Sequence, residues 1–112
     1  AYYDKAFSKT DKIITPKKSD FTTHVYHQYV LQLNGVDRDA LMSHLQSKGI
    51  ACAIYYPVPL HEQKAYQDPR YKKGDFPVSE ALCESVLALP MHTEFTDEQL
   101  DYVTSTILDF IA

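Results

Sequence analysis

The sequence predicts an α+β fold in which a small antiparallel or mixed sheet packs against helices. Three observations support this prediction. Residues 25–33, VYHQYVLQL, alternate in side-chain polarity as a half-buried strand does. Residues 96–111 repeat apolar side chains at the spacing of an amphipathic helix. Residues 38–56 place a helix directly before a second strand-like segment, so strand, helix and strand form one compact unit.

The first segment of the chain predicts a helical end and a short strand. Tyr3 and Phe7 lie four residues apart and no capping residue precedes them, so we interpret residues 1–7 as the end of a longer helix that has been cut. In residues 12–20, β-branched side chains come just before Pro16 and two lysines. That order favours an edge strand running into a loop.

A strand, a helix and a second strand follow. Four side chains share one face of the strand at residues 25–33: Val25, Tyr29, Leu31 and Leu33. Asp37 can cap a helix over residues 38–48, and Gly49 can end it in the left-handed conformation. The inner face of that helix carries Leu41 and Leu45. Residues 50–56, IACAIYY, predict a second and largely buried strand.

Proline and polar residues dominate the next stretch. Pro57 and Pro59 remove backbone donors, so the sheet must stop there. Residues 61–77 are polar and turn-prone, and we interpret them as a long surface loop with one helical turn over residues 62–66.

Two further helices complete the predicted fold. The first covers residues 80–87 and opens with Val78 and Ser79, and its inward side chains are Leu82, Val86 and Leu89. The second begins after Thr96, where Gln99 completes a capping box and Phe95 and Leu100 form a hydrophobic staple. Its buried stripe comprises Leu100, Val103, Ile107 and Ile111.

Composition excludes several classes of function. The chain has 112 residues, 45% of them hydrophobic, which suits one ordinary globular domain. Its net charge of −4 and isoelectric point near 5.6 argue against binding to a nucleic-acid backbone. No run approaches the roughly 20 apolar residues of a membrane span and no signal segment is recognisable, so we expect a soluble, cytoplasmic protein. Cys52 and Cys83 are expected to be free, buried side chains.

The candidate catalytic groups do not form a set. The histidines, at positions 24, 27, 44, 61 and 92, include no metal-binding pair on a helix. His24 and His27 would point to opposite faces of their strand, with His27 packed in the sheet, and His44 would be solvated. We therefore predict no metal site. Ser79 is assigned to helix capping, neither cysteine has an evident activating partner, and three glycines build no phosphate loop.

Residues 54–66, IYYPVPLHEQKAY, are the one remaining candidate site. The predicted strand delivers Tyr55 and Tyr56 to a sheet edge, where two phenols can stack on a flat group or donate to an oxygen. His61 then stands at the end of a proline-stiffened arm. Such a rim suits a sugar or a nucleotide, but a half-buried strand end whose prolines block edge pairing explains the same residues equally well.

Four stretches together resemble a known family. They are HVYHQYVLQL, RDALMSHLQSKGI, YYPVPLHEQKAY and GDFPVSEALCESVLALPMHTEFTDEQLDYV. In their order, spacing and residue identities they are similar to the C-terminal part of the DegT/DnrJ/StrS sugar aminotransferases. The resemblance extends over nearly the whole chain.

The resemblance implies the small C-terminal domain of a fold-type I pyridoxal phosphate enzyme, with residues 1–112 forming that domain as a fragment of a longer chain. Such enzymes transfer an amino group, usually from glutamate, to a keto sugar attached to a nucleotide, and the parent is expected to be a homodimer. The cofactor and its Schiff-base lysine belong to the large domain. None of the nine lysines here lies in a stretch like the family's cofactor-lysine motif, so the isolated chain should not transaminate.

The family also assigns the residues of the candidate site. Tyr55 and Tyr56 correspond to positions at the mouth of the active site, beside the sugar nucleotide, and His61 lies on the same arm. Many relatives carry histidine where this chain has Tyr55, so any role there must be one that a phenol can perform. We assign Tyr55, Tyr56 and His61 to substrate binding and none of them to acid or base catalysis.

Two further expectations follow from the resemblance. A small domain cut from a larger enzyme should expose apolar surface. We therefore expect the N-terminal segment with Tyr2, Tyr3 and Phe7, and one side of the strand at residues 25–33, to be more exposed here than in the parent. The alternative function is a free-standing α+β module that binds a sugar or a nucleotide and performs no chemistry.

Overall fold

The computed structural model describes residues 2–112. Its helices are α1 (Tyr2–Phe7), α2 (Arg38–Ser47), α3 (Pro77–Ser85) and α4 (Asp97–Ile111). Its strands are β1 (Ile13–Ile14), β2 (Tyr29–Leu33) and β3 (Val86–Leu89). Two short 3-10 turns, Leu60–Glu62 and Lys64–Tyr66, lie in the long connection before α3. None of these helices combines the length and the apolar composition needed to cross a lipid bilayer.

The three strands form one antiparallel sheet in the order β1-β2-β3. The register pairs Ile13 with Leu33 at one side of β2 and Leu31 with Leu87 at the other. Helices α1 and α2 both contact α4, and α2 also contacts β3. The predicted fold class, a small antiparallel sheet packed against helices, is confirmed.

One continuous core joins the sheet to the helices. Alternate side chains of β2 are fully covered, and they meet apolar residues from every helix except α3. The largest fully buried side chains are Tyr29, Phe7, Leu31, Leu41, Leu45, Leu87 and Ile107. Removal of a buried leucine side chain from such a core costs about 2–5 kcal/mol of folding free energy.

The predicted helix signals at residues 37–49 and 96–111 are confirmed. The Asp37 carboxylate accepts from the backbone N–H of Ala40 at 2.9 Å, and Gly49 has a φ of 74° beyond the end of α2. Thr96 and Gln99 form both halves of a capping box at the start of α4. Val103, Ile107 and Ile111 are buried along α4, and Leu100 packs partly buried at its start.

The strand predicted at residues 25–33 begins only at Tyr29. Val25 is 90% exposed, which corrects its assignment to the buried face. The cause is local, because Tyr26 has a φ of 47°, a conformation that no strand accommodates. The backbone N–H of Tyr26 donates to Nδ1 of His24 at 2.9 Å in this turn. His24 and His27 therefore do not lie on a strand, and His27 is exposed rather than packed in the sheet.

The strand predicted at residues 50–56 is reduced to a single bridge. Ala53 exchanges two backbone hydrogen bonds with Ala88, of 3.1 and 2.8 Å, at the outer edge of β3. Ile50 is buried, but Tyr55 and Tyr56 are exposed. The place beside β2 is taken by β3, so this segment reaches the sheet only at its rim.

The helix predicted at residues 80–87 is wrong in both of its limits. Helix α3 begins at Pro77 with Phe76 as its N-cap, so Ser79 lies inside the helix and does not cap it. The helix ends at Ser85, and Val86–Leu89 pairs with β2 as β3. Leu82, expected to face inward, is exposed. A short apolar run such as VLAL fits a buried strand as well as a helix. In this structure the pairing with β2 makes it a strand.

Tyr3 and Phe7 of the N-terminal segment lie in the core and not on exposed surface. These side chains are only 4% and 1% exposed, and the Tyr3 ring lies 5.0 Å from that of Tyr29 between centroids. The Tyr3 hydroxyl donates to the carbonyl of Pro90 at 3.0 Å. Tyr2, by contrast, is only partly buried, and Ala1 lies outside the described residues.

The buried Tyr3 predicts a loss of stability at alkaline pH. Burial raises the pKa of Tyr3 from 10.0 to about 12, so the folded chain favours the neutral phenol. The stabilising contribution is complete below pH 10 and is lost as the pH rises through about 12. Tyr3→Phe should cost about 1 kcal/mol near neutral pH through the lost hydrogen bond.

Thermal unfolding of Tyr3→Phe and of the unaltered chain, followed by circular dichroism as the pH is raised, checks this prediction. The melting temperature of Tyr3→Phe should fall less steeply above pH 10. Tyr66→Phe, which alters an exposed ring, is the matched control. Equal slopes for Tyr3→Phe and the unaltered chain would contradict the prediction.

A polar cleft and the arm that borders it

Tyr55 and Tyr56 lie on an arm, residues 53–61, that is held at both ends. At the first end, Ala53 is bridged to Ala88 of β3. At the second end, Nε2 of His61 lies 2.9 Å from Oε1 of Glu80 on α3. Between these anchors, prolines restrict the backbone and exposed side chains point to solvent. The arm is therefore fixed although it is not part of a regular element.

Glu80 is the centre of the second anchor. Its Oε1 accepts from the backbone N–H groups of Gly74, at 2.7 Å, and Phe76, at 3.4 Å, in addition to its contact with His61. The His61 side chain is only 8% exposed and its ring lies 4.8 Å from that of Phe76. We call His61, Glu80 and the backbone of residues 74–76 the clasp. The clasp ties the arm and the long loop to the first turn of α3.

Hydrogen bonding keeps the Glu80 carboxylate ionised. The N–H of Gly74 lowers the pKa of Glu80 most, while partial desolvation raises it. The contact with His61 and the N–H of Phe76 lower that pKa further. The pKa of Glu80 therefore lies below its ordinary value of 4.5. The carboxylate stays ionised, and the clasp persists, in moderately acidic solution.

The clasp also contains metal-type ligands. Among residues 2–112, His61, Glu62 and Glu80 form a group whose ligand atoms all lie within 4.8 Å of one another. Oε1 of Glu80 already receives three contacts, from Nε2 of His61 and from the backbone N–H groups of Gly74 and Phe76. We assign the group to structure, because Oε1 of Glu80 holds the loop and the arm together.

Tyr55 lines an open cleft of about 660 Å³. Most of the remaining lining comes from the end of β3, from the segment that follows it and from the first turn of α4. Its lining side chains are His27, Gln28, Tyr55, Leu89, Pro90, Met91, His92, Glu94, Phe95 and Gln99. Polar groups predominate, and a few apolar side chains form part of the wall.

The three predicted site residues do not converge on this cleft. Tyr56 is 72% exposed and does not line it. His61 lies instead beside a second hollow of about 440 Å³, whose aromatic lining is Tyr66, Tyr71 and Phe76. The structure thus places Tyr55 in a cleft, Tyr56 on the open surface and His61 in the clasp.

Sequence reasoning missed the other residues that line the cleft of Tyr55. His92, Glu94 and Gln99 come from a stretch in which Gln99 was recognised only as part of a capping box. Their convergence with His27 depends on the tertiary fold, and no spacing in the sequence reports it. His44, expected to be solvated, is instead half-buried against Phe110, with ring centroids 5.2 Å apart.

The lysines and glycines of the described residues lie apart from the cleft of Tyr55. A Schiff-base lysine must be enclosed beside the cofactor, but all nine lysines are exposed and none lines the cleft of Tyr55. The three glycines lie in separate turns and form no phosphate-binding loop.

The clasp predicts a specific effect of substitution at Glu80. Glu80→Ala removes the acceptor for Gly74 and Phe76, and the protection factors of these amides in hydrogen exchange should fall by about tenfold or more. Glu80→Gln retains a carbonyl acceptor and should restore most of the protection. Glu84→Ala changes an exposed carboxylate on the same helix and should have no effect.

The same measurement has a defined pH dependence in the unaltered chain. Because the pKa of Glu80 is lowered, the protection should be complete above the ordinary value of 4.5 and should be lost only as the pH falls through the lower folded value. Protection factors that are insensitive to Glu80→Ala would show that the clasp does not hold the loop.

Comparison with known proteins gives a consistent result. The chain matches the family model described as "DegT/DnrJ/EryC1/StrS aminotransferase family" over residues 1–108. It is 40% identical over 100 residues to a pleiotropic regulatory protein of Geobacillus stearothermophilus, covering 89% of this chain and 26% of that protein. It is 44% identical over 84 residues to the UDP-N-acetyl-3-dehydro-alpha-D-glucosamine 3-aminotransferase of Acidithiobacillus ferrooxidans, covering 75% and 22%.

A solved structure shows the same fold. DesV of S. venezuelae, crystallised in complex with a ketimine intermediate, superposes with a TM-score of 0.85 at 28% sequence identity. That match covers 96% of this chain and 28% of DesV, so the chain spans about a quarter of the length of the proteins it resembles. Because the family model covers nearly every residue, the chain belongs to the DegT/DnrJ/EryC1/StrS aminotransferase family.

Proposed function

We propose that this chain is the smaller domain of an aminotransferase that transfers an amino group, from glutamate, to a keto sugar linked to a nucleotide. The observation that carries the proposal is the family match over residues 1–108. It is supported by 44% identity to a protein named for amino transfer to a UDP-linked sugar. The product would be an amino sugar of the kind used in cell-surface polysaccharides.

Pyridoxal phosphate would supply the amino-group chemistry, and the cofactor lysine would lie outside the described residues. All nine lysines here are exposed, so the proposal requires a large domain that encloses the cofactor. We propose that the parent enzyme is a cytoplasmic homodimer and that residues 1–112 alone do not transaminate.

The contribution of this chain would be to bind and orient the substrate. Tyr55 lines the polar cleft and carries a hydroxyl that can donate to or accept from a sugar oxygen. Tyr56 presents an exposed ring on the same arm, where a flat group can stack. His61, which we keep among the substrate-binding residues, would act by holding the arm in place, because its imidazole is covered in the clasp.

A binding module without catalysis is the second candidate. It is favoured by the absence of an enclosed lysine among residues 2–112. The two candidates differ in one respect that can be measured, namely whether a protein containing this chain transfers an amino group.

The test is an assay of the complete protein encoded by the reading frame that contains this chain. Supplied with pyridoxal phosphate, ¹⁵N-glutamate and a UDP-linked keto sugar, that protein should yield a ¹⁵N-labelled amino sugar by mass spectrometry. Residues 1–112 alone should give no labelled product and no new visible absorbance band with the cofactor. A band that disappears on substitution of one of the nine lysines would refute the missing-lysine account.

Substitution at Tyr55 tests its proposed role. In the complete protein, Tyr55→Phe removes one hydroxyl contact and should raise KM about threefold to tenfold with little change in kcat, since a neutral hydrogen bond contributes about 0.5–1.5 kcal/mol. Tyr102→Phe removes a surface hydroxyl that bonds the carbonyl of Lys48 and serves as the control. A large fall in kcat with unchanged KM would point to a catalytic role for Tyr55 instead.

A further inference from the structure

The second hollow, beside the clasp, has walls of aromatic rings. Tyr66, Tyr71 and Phe76 line it, and we call it the aromatic hollow. Its volume of about 440 Å³ lies within the range of about 300–1,000 Å³ that small-molecule sites occupy. The rings of Tyr71 and Phe76 lie 5.6 Å apart between centroids, with 53° between their planes. Rings that meet at such an angle form a corner, so the aromatic surface is concave.

These rings are accessible to a ligand. The exposed fractions are 61% for Tyr66, 47% for Tyr71 and 42% for Phe76. The face of an aromatic ring carries partial negative charge and attracts a cation within about 6 Å of its centroid. The chain itself contains such a contact, because the guanidinium carbon of Arg70 lies 5.6 Å from the centroid of the Tyr71 ring. Arg70 is not among the residues that line the aromatic hollow, so its side chain leaves the hollow open.

The charges around the aromatic hollow also favour a cation. Among the described residues that line it, Asp68 is the one acidic side chain, and none is a lysine or an arginine. Lys72 and Lys73 line a neighbouring hollow instead. A cation in the aromatic hollow would therefore meet a carboxylate and three ring faces, whereas the same groups would repel an anion.

The hydrogen bonds of Asp68 restrict the kind of cation. Oδ1 accepts from the backbone N–H of Arg70 at 2.9 Å and from its Nε at 3.0 Å, and Oδ2 accepts from Nη2 at 2.7 Å. A primary ammonium brings three N–H donors, which need acceptors that these oxygens already share with Arg70. A quaternary ammonium has no N–H donor, and its methyl groups can pack against the rings and against Leu60. A quaternary ammonium therefore fits this lining better than a primary one.

We propose that the aromatic hollow binds the quaternary ammonium group of a small organic cation, through the ring faces of Tyr66, Tyr71 and Phe76 and the negative charge of Asp68. This site is separate from the cleft of Tyr55, with which it shares no lining residue. It is also independent of the proposed function, because it uses neither the cofactor nor amino transfer.

The test titrates choline into the chain and compares it with 3,3-dimethyl-1-butanol, which has the same shape but carries a carbon atom in place of the charged nitrogen. Ionic strength is held constant with sodium chloride. In ¹H NMR, the choline methyl signal should shift upfield and saturate, and nuclear Overhauser effects should connect it to the rings of Tyr66, Tyr71 and Phe76. The dissociation constant of choline should be at least about tenfold lower than that of the neutral alcohol.

Substitution at Tyr66 isolates the contribution of one ring. Tyr66→Leu removes the aromatic face but keeps an apolar side chain, and the dissociation constant of choline should rise about threefold or more. Tyr66→Phe keeps the face, so that constant should stay within about twofold of the value for the unaltered chain. Tyr102→Leu makes the same change at an exposed tyrosine of α4 that does not line the hollow, and should have no effect. Circular dichroism of the three variants confirms that the fold is retained.

Several results would overturn the proposal. The absence of a saturable choline shift, or an unchanged dissociation constant in Tyr66→Leu, would show that the rings hold no cation. Equal affinities for choline and the neutral alcohol would show that the hollow recognises only apolar shape. Sedimentation of the chain with phosphatidylcholine vesicles would assign the hollow to a lipid headgroup and not to a small cation. The complete protein encoded by the reading frame should bind choline as tightly as this chain, and loss of binding there would also reject the site.

Discussion

The pairing of β2 with β3 is the constraint on which the rest of this structure depends. It covers the inner side chains of β2 and brings Leu87 opposite Leu31 in the core. It also places Ala88 where its outer edge can hold Ala53, and that bridge starts the arm. Because β3 follows α3 without a connecting loop, the same pairing fixes the helix that carries Glu80. The core, the arm and the clasp thus all depend on the pairing of β2 with β3.

The parts of the fold that could be predicted from the sequence are those decided by near neighbours. Helix caps depend on residues within one turn, and Asp37, Gly49, Thr96 and Gln99 all act as their positions predict. Residues 86–89 and 50–56 were misassigned because both are short apolar runs that fit more than one structure. Which of them pairs with β2 is decided by residues far away in the chain. Val25 was wrongly assigned to the buried face, because the periodicity of the sequence does not reveal the backbone conformation of Tyr26 that ends the strand.

The candidate site also has one part that the sequence predicts and another that depends on the tertiary fold. Tyr55 could be singled out because aromatic rings beside prolines are unusual in a strand, whereas His27, His92 and Gln99 look ordinary where they stand. They converge only after the sheet has formed. His61 illustrates the opposite case, since its position on the arm suggested a rim residue and the structure buries its ring against Glu80. Sequence position identified the segment but not the direction in which its side chains point.

The two anchors of the arm have a mechanical consequence. Glu80 and Ala88, which hold its ends, belong to one uninterrupted stretch of α3 and β3, and the chain continues directly from β3 to His92. Tyr55 and His92 are therefore both attached to the same short length of backbone. If this domain rotates against a neighbouring body, Tyr55 and His92 travel together. Such a rotation would change what faces these two side chains and leave their separation unaltered.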